Sequence, residues 1–367
     1  MGTDRVVARF EVHETTYLAR DGTPLGNLPE WAAEPDLLVR LHRAMTLTRV
    51  FDERAVALQR SGQLGTFASS LGQEAVAVGI GAGMESGDVL LPAFREQGAQ
   101  LWRGVTMVEL LLYWGGDERG SDFSGPRQDF PIAVPVASQA SHAAGVAMAF
   151  QLRGEPRVAV CAIGDGGTSK GDLYEALNFA GVRQLPAVFV INNNEWAISV
   201  PRSAQTAATT LAQKAIAAGI NGEQVDGNDV IAVRDRVHAA VERARTGGGP
   251  TLVEALTYRL SDHTTSDDAR RYRDESDVSA RWEREPLSRL RSLLVERGWW
   301  GRADEDGLRR DASEQVERAV QEYLAIEPLP AVAMFDHLYA VPPASLLAQR
   351  REVADRSLLD GEAEVRG

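Results

Sequence analysis

Two short stretches carry side chains whose types and spacing suit metal-assisted binding of a phosphorylated ligand. Gly164-Asp165-Gly166-Gly167 follows the apolar run Val158 to Ile163, and Asn192-Asn193-Asn194 follows a second such run, Ala187 to Ile191. Between them Leu173, Ala176, Leu177 and Ala180 recur at helical spacing. The order is strand, glycine turn, helix, strand, so polar groups gather where two buried strands end. Open α/β sheets bind ligands there. Asp165 offers a carboxylate oxygen and Asn194 an amide oxygen 29 positions later. Mg²⁺ takes one or two such oxygens from a protein and the rest from phosphates and water. A helix beginning near Thr168 would aim free N–H groups at those phosphates. The chemistry these residues suit is a diphosphate held through a metal.

Two commoner glycine motifs are excluded. A dinucleotide fingerprint needs glycine at 169, where Ser169 stands, and a P-loop needs Gly-Lys-Ser/Thr, whereas Lys170 precedes Gly171 and Asp172 follows it. A GDG followed about thirty residues later by an asparagine pair matches the thiamine diphosphate motif instead. Around it, GDGGTSKGDLYEALNFA and NNNEWAISVP resemble the α subunit of the first, decarboxylating component of 2-oxoacid dehydrogenase complexes. The resemblance runs over approximately residues 36 to 340.

That resemblance implies thiamine diphosphate and Mg²⁺ as cofactors. It implies Asp165, Asn194 and the Trp196 carbonyl as metal ligands, with Gly164, Gly166 and Gly167 forming the turn at the cofactor. Phe94-Arg95 stands where the family commonly has Tyr-Arg, and that arginine contacts the diphosphate; Phe94 lacks the hydroxyl donor. Arg suits a phosphate because its planar fork donates two hydrogen bonds. Read alone, Arg95 would be a surface charge pair. Phe67, Gly72, Gln73 and Glu74 resemble the stretch that approaches the cofactor from the other side. The backbone around Val134 and Val136 would flank the aminopyrimidine, and Ser138 and Gln139 match a monovalent-cation site. His263, in SDHTTSDD, matches the family's histidine in a loop closing over the cofactor. Without the resemblance that stretch reads as a solvated loop. A histidine there can donate a proton or a hydrogen bond near neutral pH, and His263 is the catalytic expectation. Glu195 departs from the family, which often has Arg or Gly there.

The family's glutamate that activates the aminopyrimidine belongs to a separate β subunit. The resemblance therefore implies an α₂β₂ assembly, a lipoyl acyltransferase as the next component, and inactivity of this chain alone. VDGNDV, ALTYRL, HTTSDDARRYR and RGWW look closer to branched-chain 2-oxoacid members than to pyruvate ones. Competing readings are a pyruvate enzyme, an acetoin-cleaving or transketolase-like thiamine enzyme, and a non-catalytic scaffold of the same shape.

Composition narrows the classes. The 367 residues are 44% apolar, ample for a core, and the formal charge of −13 argues against nucleic acid and anionic membranes. No apolar stretch reaches membrane-spanning length, and the N-terminus lacks a secretory apolar core. With Val6 in place of Ser or Thr, the Met1-Gly2 start does not fit myristoylation. A cytoplasmic protein is expected. Cys161, the single cysteine, falls inside a strand and is expected to be buried.

The elements that must position these residues follow from periodicity. Residues 1–35 read as an arm, with a weak hairpin at Tyr17 to Leu25. From Pro35 an apolar helical period runs for about seven turns, and His42 within it reads as structural. Gly145 and Ala149 put a smooth stripe on a small-residue helix that begins near Ser138, where His142 reads as buried and structural. A strand begins at Gln224-Val225, a helix runs from Asp229 to about Thr246, and Thr251 to Arg259 reads as another strand. Alternating strands and helices mean an α/β protein whose mainly parallel sheet carries helices on both faces; by resemblance this is the thiamine diphosphate-binding fold. The expected division is an arm (1–35), an α/β domain (36–280) and a helical region (281–367). Leu290, Leu293, Leu294 and Trp299 form a stripe expected to pack on the sheet or on a partner.

Overall fold

The structure, a computed structural model, describes residues 3–364, so the Met1-Gly2 start lies outside the described residues. Among these residues there are eight strands: β1 (Glu14–Thr15), β2 (Val89–Leu91), β3 (Ala159–Gly164), β4 (Ala187–Asn193), β5 (Trp196–Ala197), β6 (Val200–Pro201), β7 (Asn221–Asp226) and β8 (Thr251–Leu256). Six form one parallel sheet in the order β1-β7-β8-β4-β3-β2, and β5 and β6 form a separate antiparallel hairpin.

The helices run α1 (Pro35–Arg60), α2 (Glu74–Gly83), α3 (Gln97–Arg103), α4 (Met107–Trp114), α5 (Ser138–Arg153), α6 (Gly171–Arg183), α7 (Arg202–Gln205), α8 (Lys214–Ala218), α9 (Val230–Arg245), α10 (Glu275–Arg281), α11 (Pro286–Glu296), α12 (Arg302–Ala325) and α13 (Ala344–Glu364). The chain forms two compact units, Met1–Gln321 and Glu322–Gly367; the second holds α13 and a 3₁₀ turn at Ala331–Phe335. Among the described residues no helix is long and apolar enough to cross a membrane.

Side-chain alternation along the strands builds two cores. Ala159, Cys161, Ile163, Phe189 and Ile191 face α5 and α6, packing on Ala140, Ala144, Ala147, Leu173 and Leu177. Val160, Ala162, Val188 and Val190 face the other way onto α2 and α9 through Val76, Ile80, Val233 and Val237. Both faces are covered, which is why the strands read as continuous apolar runs. Cys161 is buried as expected, and burial pushes its thiol up.

A third apolar cluster corrects one expectation. Leu290, Leu293 and Leu294 pack on Leu38, Leu41 and Met45 of α1, a layer outside α2, rather than on the sheet. His42 is buried there and its Nε2 lies 3.1 Å from Glu305, a structural role as expected. His142 is not buried; it is exposed beside Phe130, because α5 turns that side away from the sheet. The hairpin at Tyr17 to Leu25 forms, with Leu18 bridged to Pro24. The arm does more than expected, since β1 adds the edge strand beside β7. α9 starts with Asp229 accepting from the amides of Ile231 and Ala232 and ends at Arg245. β8 stops at Leu256, short of Arg259, and β7 starts at Asn221, before Gln224. The helix expected near Thr168 starts later, at Gly171. Asp165–Ser169 forms a 3₁₀ turn, and extended backbone at Lys170 separates it from α6.

Candidate functional site

β2, β3 and β4 run parallel, so their carboxyl ends deliver three polar segments to one place. β3 ends in Gly164-Asp165, β4 in Asn192-Asn193 followed by Asn194, and the segment after β2 carries Phe94-Arg95-Glu96. These segments line a cavity of about 380 Å³ together with Val134, Val136, Gly166, Gly167, Trp196 and His263. Every residue expected to bind thiamine diphosphate or Mg²⁺ therefore lines one cavity. Of the stretch read as approaching from the other side, Gln73 alone reaches it. Glu74 instead pairs with Arg49 at 2.5 Å and accepts from the Gly72 amide.

The glycine turn is close-packed. A Cβ on Gly166 would meet Ala197 at 2.6 Å, and one on Gly167 would meet Ile163 at the same distance. Side chains at either position would push the turn off its neighbours, the β5–β6 hairpin for Gly166 and β3 for Gly167.

Asp165 is 1% exposed and burial pushes its carboxyl above the usual carboxylate range. Its Oδ2 accepts from Gln205 Nε2 at 2.8 Å. Asn194 donates from Nδ2 to Gln73 Oε1 at 2.9 Å, and its Oδ1 accepts from the Trp196 amide at 3.2 Å. One carboxylate after β3, and one amide oxygen and one backbone carbonyl from the segment after β4, thus line the same cavity; the Trp196 carbonyl also lies 3.5 Å from Arg259 Nη1. No cluster of three His, Cys, Asp or Glu side chains able to hold a metal occurs among the described residues. The set that does occur is the sparse oxygen set suited to Mg²⁺ on phosphate, not the denser set of a structural metal.

Two buried arginines accompany these oxygens; Arg95 lines the cavity, and Arg259 lies beside it at the Trp196 carbonyl and His263. Arg95, far from being a surface charge, is 5% exposed; it donates to the Ser69 carbonyl at 2.5 Å and to the His263 carbonyl at 2.6 Å. Arg259 is fully buried and donates to the Ile198 carbonyl at 2.8 Å and to the Tyr272 hydroxyl at 2.9 Å. Neither forms an ion pair with a carboxylate among the described residues. Burial and the facing Arg259 pull the Arg95 guanidinium down to about 10. Two desolvated cations without an anion are costly. A polyanion at this site offsets that cost, so the residues present fit a diphosphate.

His263 lies between the arginines. Its Nδ1 sits 3.0 Å from Arg95 Nη2 and 3.3 Å from Arg259 Nη1. Arginine only donates, so Nδ1 accepts and the ring proton is on Nε2. Burial, Arg95 and Arg259 lower the imidazole to about 4, leaving it neutral. The loop is braced by the His263 amide on Asp267 at 3.0 Å and by Thr265 on Phe67. Phe94 packs edge-on to His263, ring centroids 6.0 Å apart. Val134 and Val136 line the mouth and are 68% and 52% exposed. Gln139 also lines the cavity and donates to the Ala162 carbonyl at 3.0 Å, whereas Ser138 is half-buried outside the lining and donates to the Pro135 carbonyl. Glu195 adopts φ 67° and pairs with Arg281 at 2.9 Å, tying the hairpin to α10.

Sequence reasoning missed Arg259, Gln205 and Glu96. Glu96 is buried, accepts from Asn192 Nδ2 at 3.2 Å, and is pushed up by burial. The signal for Arg259 was present: a lone cation closing the apolar run TLVEALTY. Gln205 carried none, because its role exists only once α7 folds back onto Asp165.

Residues 42–329 match the dehydrogenase E1 component family. The pyruvate dehydrogenase E1 component α subunits of Staphylococcus aureus and Staphylococcus epidermidis are each 40% identical to this chain over 330 residues, 88% of this chain and 89% of theirs. A parallel sheet whose strand ends present Asp165, Asn194 and paired buried arginines, with that similarity spanning most of the sequence, makes the chain a member of the dehydrogenase E1 component family, a thiamine diphosphate-dependent 2-oxoacid dehydrogenase α subunit.

Proposed function

We propose that the chain works in the cytoplasm with a β subunit in an α₂β₂ heterotetramer, catalysing oxidative decarboxylation of a 2-oxoacid with acyl transfer to the lipoyl group of a partner acyltransferase. The observation that carries this reading is one cavity lined by Asp165, Asn194 and the buried Arg95, with a second buried arginine, Arg259, held against its His263 and neither arginine in an ion pair with a carboxylate among the described residues. Asp165 Oδ1, Asn194 Oδ1 and the Trp196 carbonyl would hold Mg²⁺. Arg95, the Gly164 to Gly167 backbone and the arginine-bound His263 would hold thiamine diphosphate, which supplies the carbanion and the electron sink. Val134 and Val136 would flank its aminopyrimidine. Phe94 and Val136 give the cavity an apolar wall. Through Nε2–H, His263 would hold or pass a proton on the reacting side.

The substrate assigned first is a branched-chain 2-oxoacid such as 3-methyl-2-oxobutanoate. VDGNDV, ALTYRL, HTTSDDARRYR and RGWW support it. Pyruvate is the second reading, supported by the names of the 40% identical relatives. The chain co-expressed with its β subunit, given thiamine diphosphate, Mg²⁺ and an artificial electron acceptor, decides between them on a 2-oxoacid panel. Preference for 3-methyl-2-oxobutanoate is the expected result. Preference for pyruvate keeps the mechanism and moves the substrate. No turnover of any 2-oxoacid removes the dehydrogenase reading and reopens acetoin cleavage. The chain without β is expected to be inactive in the same assay, because the carboxylate that activates the aminopyrimidine would come from β; substantial turnover by the chain alone overturns that assignment.

A further inference from the structure

We propose that Gln205 and Gln73 are positioning residues, Gln205 deciding which carboxylate oxygen of Asp165 is left for the ion and Gln73 fixing how the Asn194 amide is turned, an inference that rests on the metal–diphosphate reading above. Gln205 closes α7 and donates from Nε2 to Asp165 Oδ2 at 2.8 Å and to the Val200 carbonyl at 3.1 Å. It is the only side-chain donor hydrogen-bonded to Asp165 among the described residues. With Oδ2 engaged, Oδ1 is the carboxylate oxygen left for a cation.

Gln73 makes the converse arrangement on the other ligand. Its Oε1 accepts from Asn194 Nδ2 at 2.9 Å, which turns the amide so that Oδ1, its one cation-binding atom, lies toward the Trp196 amide. Gln73 is fully buried and lines the cavity.

A second observation ties both glutamines to a ligand. Each keeps its other amide atom, Gln205 Oε1 and Gln73 Nε2, buried without a hydrogen-bond partner. Native proteins rarely leave such atoms unpaired. A hydrated divalent cation carrying phosphate oxygens meets both needs, with water donors for Gln205 Oε1 and an anionic acceptor for Gln73 Nε2. Partners that orient metal ligands in this way are worth roughly 10- to 100-fold in metal affinity.

The test is a Mg²⁺ titration of the assembled α–β enzyme at fixed thiamine diphosphate, followed by intrinsic tryptophan fluorescence, since Trp196 lies beside the ligands. Gln205→Met keeps the length of the side chain and removes the donor; Gln205→Leu repeats the removal with a different shape. Both are expected to raise the Mg²⁺ Kd roughly 10- to 100-fold while the melting temperature of the cofactor-free enzyme stays at the wild-type value. A Kd within about twofold of wild type in either folded variant overturns the proposal, and so does a lowered cofactor-free melting temperature with an unchanged Kd. Wild-type enzyme that shows no Mg²⁺-dependent binding of thiamine diphosphate sinks the underlying reading instead, so the two failures are distinguishable.

Discussion

Asp165→Ala is expected to weaken Mg²⁺-dependent binding of thiamine diphosphate by roughly 10²- to 10³-fold, read by calorimetry on the assembled enzyme. That magnitude corresponds to one lost charge-assisted ligand contact of about 3–4 kcal/mol in a desolvated site. The sign of the stability change differs with cofactor. In the cofactor-free chain Asp165 is buried, pushed up by that burial, and satisfied by one glutamine. Removing it deletes a desolvated carboxyl and leaves only a half-buried amide without its partner, so the cofactor-free melting temperature is expected to hold. The rise in melting temperature on adding cofactor and metal depends on affinity and is expected to vanish at concentrations that stabilise the wild type. Assembly with β, read by size-exclusion chromatography, is expected to persist, because Asp165 lies inside the cavity. Unchanged cofactor affinity in Asp165→Ala would turn the chain into a scaffold of the same shape.

How far the sequence leads is clearest at Asp165 and Arg259. The glycine turn and Asn194 were legible because local rules govern them: β-branched runs make buried strands, parallel strands end together, and the residues just past their ends share a crevice. His263 was legible only by resemblance, because its loop has no apolar period to locate it. The opposite limit is Arg259, read as the last residue of a strand. Its work is non-local: it passes from the end of β8 to the Ile198 carbonyl of the β5–β6 hairpin and the Tyr272 hydroxyl of the loop. No spacing rule foretells a cation bridging three segments. The same holds for the leucine stripe of α11, whose amphipathic period showed a buried face without showing what it faces. That partner is α1, far earlier in the chain.

His263→Ala is expected to lower kcat by roughly 10²- to 10⁴-fold, the range for a general acid–base group. The pH dependence separates this role from a purely structural one. In the cofactor-free protein, burial and then Arg95 and Arg259 hold the imidazole at about 4, neutral at all working pH values. The contribution of that group to folding is therefore complete above an unfolded-state value near 6.5 and is lost as pH falls toward 4, where the folded state finally takes the proton. A bound diphosphate offsets the fields of the arginines, the lesser causes of the shift, so the imidazole moves upward from about 4 in the loaded enzyme while burial still holds it below its ordinary value. The kcat profile of the wild type is expected to show an acid-side limb that the His263→Ala variant lacks. Should kcat fall less than about threefold, with the loss appearing instead in affinity for thiamine diphosphate, His263 would be a brace for Arg95 and Arg259 rather than a proton-handling group. The geometry favours the catalytic role. Both arginines occupy Nδ1, and their hydrogen bonds leave Nε2–H directed away from them, free for the reacting side.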